Sequence, residues 1–105
     1  MFSLMKKNKV DIIIPNFNKG DFLDEAIKSV KNQSYKNWKL FIIDDHSTDN
    51  SINILKKYTN NKKIKIFFLK KNKGPGYCRN LGILKSKSRF IAFLDSDDLW
   101  SKRRL

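Results

Sequence analysis

The sequence predicts an α/β fold, a three-layer α/β/α arrangement built on a mainly parallel, Rossmann-like sheet. Three observations predict it. Short apolar runs alternate with amphipathic helical stretches in the order β-α-β-α-β-α-β. The connections between them are short. The first run is almost continuously apolar, as suits a strand covered on both faces. At 105 residues, with 40 % hydrophobic and 12 % aromatic residues, the chain has the size of one domain or part of one. No apolar run approaches the roughly 20 residues of a membrane span, and the first residues lack the apolar stretch of a signal peptide. A single cysteine, Cys78, excludes an internal disulfide and a multi-cysteine zinc site. These features predict a cytoplasmic protein with residues 1–9 as an N-terminal tail and residues 10–105 as the folded unit.

Each element has its own signal. Val10 to Ile14 form the first strand, closed by Pro15 and the polar Asn16-Phe17-Asn18. Asn18 to Asp21 read as a turn and helix start, after which Phe22, Leu23, Ala26, Ile27 and Val30 share one helical face. Asp24 and Glu25 are expected in the first turn, where carboxylates suit the helix dipole. Gln33 to Asn37 is a polar break. Trp38 to Ile43 is the second strand, and it runs directly into Asp44-Asp45. Ser47 or Asp49 is expected to cap a second helix carrying Ile52, Leu55 and Tyr58. Ile64 to Leu69 is the third strand. The loop Lys70 to Gly76 leads through Pro75 into a third helix, with Tyr77, Cys78, Leu81 and Leu84 on its buried side. Arg89 to Leu94 is the fourth strand and ends at Asp95.

The formal net charge is +13, from 23 Lys and Arg against 10 Asp and Glu. The lysines are scattered in ones and twos among Asn and Ile, as an AT-rich coding sequence produces. The same charge also suits a basic surface facing phospholipid, lipid-linked phosphate or nucleic acid. The acids are concentrated: Asp44, Asp45 and Asp49 form one cluster, and Asp95, Asp97 and Asp98 another. Like charges in one place cost energy unless a cation or hydrogen bonds compensate them.

In a parallel sheet with right-handed crossovers, the loops leaving the strand carboxyl ends lie along one edge, where a ligand crevice forms. Pro15–Asn18, Asp44–Asp49, Lys70–Gly76 and Asp95–Asp98 all leave strand ends. Asp95 and Asp97, at i and i+2, can reach one hard divalent cation that completes its shell with water and ligand phosphates. The plainer reading is that Ser96-Asp97-Asp98 caps a turn. Asp45 can accept from ribose hydroxyls or a base N–H. Its alternative is a capping loop, with Asp44 as a buried acceptor and Ser47 or Asp49 as the cap. His46 reads as an exposed loop residue and Cys78 as core. The glycines of Lys73 to Asn80 allow close backbone approach at a helix start, and Arg79 can meet a phosphate or base. A plain Gly–Pro turn with a surface Arg is the alternative there.

Taken together, Val10 to Asn18, Leu23 to Ser29, Gln33-Ser34-Tyr35, Ile42 to Asp49, Gly74 to Gly82 and Phe90 to Asp98 resemble family 2 glycosyltransferases of the GT-A fold. The resemblance runs from about Val10 to Leu105, with Cys78 where a small residue is usual. It implies that Pro15, Asn16 and Phe17 line a nucleotide-base pocket. Asp45 would hold the base or ribose, and Asn18, Arg79 and Ser96 would lie at the donor nucleotide. Asp95 and Asp97 would form an Asp-x-Asp site for Mn²⁺ or Mg²⁺, Asp97 as direct ligand and Asp98 in support.

The same resemblance implies transfer of a sugar from a nucleoside-diphosphate sugar, a UDP-sugar before others, to an acceptor hydroxyl with inversion. The acceptor would be a glycan or a lipid-linked species in surface polysaccharide or lipid-linked glycan synthesis. In the family the general base comes from a second half of the fold, and no acidic residue follows Asp98 here. The expectation is therefore a donor- and metal-binding half, inactive alone. Its fourth-strand edge would be open to self-association, and its basic surface would allow peripheral contact at the inner face of the membrane. The rival expectation is a non-enzymatic basic module binding nucleic acid or anionic membrane. Scattered lysines without an aromatic-plus-basic strand motif argue against specific nucleic-acid recognition. A Mg²⁺-dependent phosphohydrolase would carry its aspartate strand at the start of the domain, not the end.

Overall fold

Ile12 and Ile14 face one side of the first strand and Ile13 the other, and all three are fully buried. Helices on both faces make this possible. The computed structural model describes residues 8–105, so residues 1–7 of the expected tail lie outside the described residues. Four strands, β1 (Val10–Asn16), β2 (Trp38–Asp44), β3 (Ile64–Phe68) and β4 (Phe90–Phe93), alternate with α1 (Gly20–Lys31), α2 (Ser51–Lys56) and α3 (Pro75–Lys85). The sheet is parallel throughout, in the order β3-β2-β1-β4. The register sets Asn16 beside Asp44 and Ile13 between Phe41 and Phe93. Chain order reverses at β1, which has β2 on one side and β4 on the other, so the crevice is expected beyond their carboxyl ends.

The two faces carry unequal cores. Ile12, Ile14, Leu40 and Ile42 pack with Leu23, Ala26, Ile27 and Val30 of α1 and with Leu55 of α2. Burying each of these Leu, Ile and Val side chains contributes about 1.5–3 kcal/mol. The opposite core is smaller: Ile13, Phe41, Ile43 and Cys78, with Phe67, Leu69 and Leu81 partly buried against them. Gly82 lets α3 approach that face closely, because a Cβ there would stand 2.6 Å from Ile13 Cγ2. Asp11, also buried on this face, ties down the α3–β4 connection. Its Oδ2 accepts from Ser86 Oγ at 2.6 Å and from the amides of Lys87 and Ser88 at 3.2 Å.

Several sequence expectations need correction. Phe22, Tyr77 and Leu84 are exposed, Leu84 to 80 %. A four-stranded sheet is too narrow to cover the flanks of α1 and α3 on which they sit. The first acid of α1 is Asp21, since the helix opens at Gly20 and puts Asp24 and Glu25 in its second turn. Helix α2 ends at Lys56, so Tyr58 lies past it, where its hydroxyl donates to Asp24 of α1. Strand β4 is shorter than expected, although the Leu94 amide still donates to Ile13 O at 3.0 Å. As an edge strand it leaves Ile91 and Phe93 exposed. No helix among the described residues is long and apolar enough to cross a membrane.

The Gly82–Ile13 contact predicts a specific stability pattern. Gly82→Ala is expected to cost about 1–3 kcal/mol by overpacking, read as a lower urea midpoint at unchanged slope. Gly76→Ala, whose added methyl meets nothing within 4 Å, is expected to match or exceed the parent. Equal midpoints for the two variants would show that α3 does not pack this closely.

Candidate functional site

Strand β2 delivers two adjacent buried carboxylates to the carboxyl edge of the sheet. Asp44 Oδ1 accepts from Asn16 Nδ2 at 2.9 Å and from Ser47 Oγ at 2.7 Å, and its Oδ2 accepts from the Ser47 amide at 2.9 Å. Ser47 Oγ in turn accepts from Asn16 Nδ2 and from the Asn18 amide. A hydroxyl has one donor and two acceptor positions, and all three are used. Ser47 is therefore no helix cap, and Asp44 is the buried acceptor that the plainer sequence reading allowed.

Asp45 reaches the other way. Its Oδ1 and Oδ2 accept from the amides of Lys73 and Gly74 at 2.7 and 2.9 Å, which fixes the β3–α3 loop. Gly74 sits at φ +93°, a conformation that a glycine adopts without Cβ strain. Cys78, one turn into α3, lies against Asp45. Burial pushes its thiol up to about 11, and the neighbouring Asp45 carboxylate acts in the same direction.

The β2–α2 loop closes over the start of α1. Asn18, at φ 52°, accepts at Oδ1 from the amides of Thr48 and Asp49 at 2.7 and 3.2 Å. Asp49 Oδ2 accepts from the Gly20 amide at 2.8 Å, and its Oδ1 from the Ser51 amide at 2.9 Å. One carboxylate thus serves the amino ends of two helices. Burial raises the Asp49 pKa, but the bonds from Ser51 and Gly20 outweigh it and leave the group below its ordinary value. Its contribution to stability is present above the ordinary carboxylate range and is lost as pH falls through the lowered value. His46 is exposed, at φ 61°.

The second acidic cluster follows β4. The Asp98 amide donates to Asp95 O at 3.0 Å, which closes a turn with Ser96 buried and Asp95, Asp97 and Asp98 exposed. Two cations face it: Lys19 Nζ stands 3.7 Å from Asp97 Oδ2, and an Arg79 guanidinium nitrogen 3.7 Å from Asp95 Oδ1. Between these groups lies a cavity of about 400 Å³. Pro15, Asn16, Phe17, Asp45, Arg79, Asp95, Ser96 and Asp97 all line it. Asn18, which the sequence placed at the donor nucleotide, does not, its side chain being engaged with the Thr48–Asp49 backbone. Asp98 lines a neighbouring cavity with Phe93, Trp100 and Arg104.

Sequence reasoning passed over Lys19 and Asn72, which also line the cavity. Asn72 Nδ2 donates to Asp45 O at 3.3 Å. The charge of Lys19, two residues past the Asn16-Phe17 segment, was the available signal. Among the described residues no three His, Cys, Asp or Glu side chains converge into a ready-made metal cage. Asp95 and Asp97 instead present two hard oxygen donors at the mouth of a cavity whose third carboxylate, Asp45, is already engaged by the Lys73 and Gly74 amides.

Comparison with known proteins bears on this arrangement. The family described as Glycosyl transferase family 2 matches residues 11–105. The poly(ribitol-phosphate) beta-N-acetylglucosaminyltransferase TarP of Staphylococcus aureus is 46 % identical over 102 residues, covering 92 % of this chain and 31 % of TarP. WfgD of Escherichia coli, a UDP-Glc:alpha-D-GlcNAc-diphosphoundecaprenol beta-1,3-glucosyltransferase, is 38 % identical over 91 % of this chain and 38 % of its own length. The crystal structure of S. aureus TarS 1–349 in complex with UDP superposes with a TM-score of 0.83 at 32 % identity, over 90 % of this chain and 29 % of that one. The mannosyltransferase PcManGT of Pyrobaculum calidifontis shares the fold, at a TM-score of 0.83 and 17 % identity. The chain thus spans well under half the length of these relatives. Its α/β sheet is of the GT-A type, and the chain belongs to glycosyl transferase family 2.

Proposed function

We propose that this chain is the donor-binding part of a glycosyltransferase. It would hold a nucleoside-diphosphate sugar, a UDP-sugar before others, for inverting transfer to the hydroxyl of a surface-glycan or lipid-linked acceptor. One observation carries the reading: eight sequence-named residues from four separate segments meet around a single cavity at the sheet's switch point. The UDP and UDP-GlcNAc complexes of TarS support a uridine donor. The names of TarP and WfgD support an anionic or lipid-linked acceptor.

Each group has a physical task. Pro15, Asn16 and Phe17, at the end of β1, form the side of the cavity suited to a base. Asn16 is buried with its Oδ1 unpartnered, an acceptor available to a base or ribose donor. Asp45 holds the β3–α3 loop against the cavity through its two amide bonds and shapes the ribose side. Asp95 and Asp97 would hold Mn²⁺ or Mg²⁺. The fit is chemical, since such ions take one or two carboxylates and complete the shell with water and phosphate oxygens. A divalent ion held there would supply Lewis-acid compensation for negative charge on a departing diphosphate. Arg79 and Lys19, already facing those carboxylates, are placed to pair with diphosphate oxygens.

Surface chemistry supports two further parts of the reading. Exposed Ile91 and Phe93 along the open β4 edge suit self-association. The net charge of +13 suits peripheral contact with anionic lipid at the inner face of the membrane.

Calorimetry tests the site directly. UDP is expected to bind more tightly with Mn²⁺ than without it, and Asp97→Ala to weaken that binding at least about tenfold, as loss of a metal ligand or its support does. Undiminished binding by the variant would overturn the assignment. Cys78 gives an independent check from inside the cavity. With its thiol fully buried and pushed up to about 11, alkylation at pH 8 is expected to run at least about a hundredfold slower than for an ordinary exposed thiol, because the thiolate is the reactive form and must also be reached. The rate should climb with pH towards 11 and fall when UDP is added. Rapid modification indifferent to UDP would place the nucleotide elsewhere.

A further inference from the structure

The acidic turn is anchored on both sides, and one anchor lies far away in sequence. On the strand side, the Leu94 amide bonds Ile13 O at 3.0 Å, and Leu94 is buried. On the other side, residues 100–105 run along α1 and the residues just after it. The Trp100 amide donates to Ser29 Oγ at 3.2 Å. Gln33, which is fully buried, donates from Nε2 to Ser101 O at 2.6 Å and accepts at Oε1 from the Leu105 amide at 3.0 Å. Ser34 bonds Lys102 O twice, through its amide at 2.8 Å and its hydroxyl at 2.7 Å.

Gln33 also donates to Ser29 O at 3.2 Å, a bond that any helix-end glutamine can make. The bonds to Ser101 and Leu105 are different, since they span 68 and 72 residues of chain. A fully buried amide must have its polar atoms paired, so the side chain and the segment it holds fix each other.

We propose that Gln33 is a positioning residue for the metal- and diphosphate-binding turn. By holding residues 100–105 against α1, it sets where Asp95 and Asp97 stand relative to Arg79 and Lys19. The role in binding rests on the donor-site reading given above; the hold on the turn does not.

Two measurements on Gln33→Ala test it. Amide exchange at Asp98 and Trp100, whose amides donate to Asp95 O and Ser29 Oγ, is expected to quicken about tenfold or more, while Ile12 to Ile14 in β1 keep wild-type protection. The affinity for UDP with Mn²⁺ is expected to fall about tenfold while that for uridine is unchanged, a split that general loss of stability does not produce. Ser29→Ala, which removes only the Trp100 contact and one local bond, is expected to act in the same direction and more weakly. It decides the matter by the same criteria if Gln33→Ala does not fold. A folded variant with wild-type exchange in the turn, or with equal losses for uridine and Mn²⁺–UDP, would overturn the proposal. If the wild-type chain binds UDP without regard to Mn²⁺, the donor-site reading fails, and the exchange data still decide whether Gln33 holds the turn.

Discussion

Two neighbouring carboxylates, Asp44 and Asp45, are buried at the end of one strand, and the shape of the site depends on how they are satisfied. Burial of such groups is tolerable only when their oxygens accept hydrogen bonds. Successive residues along a strand point to opposite faces, so the pair draws partners from both sides of the sheet. Asp44 takes Asn16 and Ser47 on the α1 side, and Asp45 takes the Lys73 and Gly74 amides on the α3 side. The β1 loop and the β3–α3 loop are thereby tied to the same strand end. The cavity is the space left between them, and its walls come from the resting hydrogen bonds of the fold.

The mouth of that cavity has a different electrostatic character. Asp95 and Asp97 are largely exposed, and each faces one cation at 3.7 Å. Exposed pairs at that separation contribute little to stability, so stability is no sufficient reason for their arrangement. As a set the four groups carry two positive and two negative charges, so the opening is close to neutral. A ligand that brings both signs, a divalent cation and a diphosphate, can exchange partners with all four and leave none unpaired. In the proposed function, this is how a chain of net charge +13 keeps an anionic donor and a metal in one place.

What was legible in the sequence follows from which forces are local. Continuous apolar runs ending in Pro15, Asp44 and Asp95 mark strand ends, and parallel topology gathers strand ends at one edge. Pro15, Asn16, Phe17, Asp45, Arg79, Asp95, Ser96 and Asp97 could therefore be read as neighbours from four short segments. Asn18 belongs to the same segment as Phe17, yet a left-handed backbone and two amide partners turn its side chain to the Thr48–Asp49 loop. Periodicity marks Phe22, Tyr77 and Leu84 as apolar, but the width of the sheet decides whether anything covers them. Gly82 and Asp11 act through contacts with Ile13 and with Ser86 to Ser88. Nothing in a local window records either contact.

The role argued for Gln33 follows from the weakness of β4. That strand has four residues and one neighbour in the sheet, and its outer residues Ile91 and Phe93 are exposed. A short edge strand frays easily, so a turn hung from its end alone would place two carboxylates imprecisely. Backbone freedom costs about 1–2 kcal/mol per residue to remove, and that cost is best met before a ligand arrives. Hydrogen bonds from α1 and its flank to Trp100, Ser101, Lys102 and Leu105 supply the second anchor. They also join the turn to the better packed of the two cores, because Val30 and Ile27, on the same helix, lie within it. The position of the acidic groups is then set by the larger core rather than by the open edge beside them.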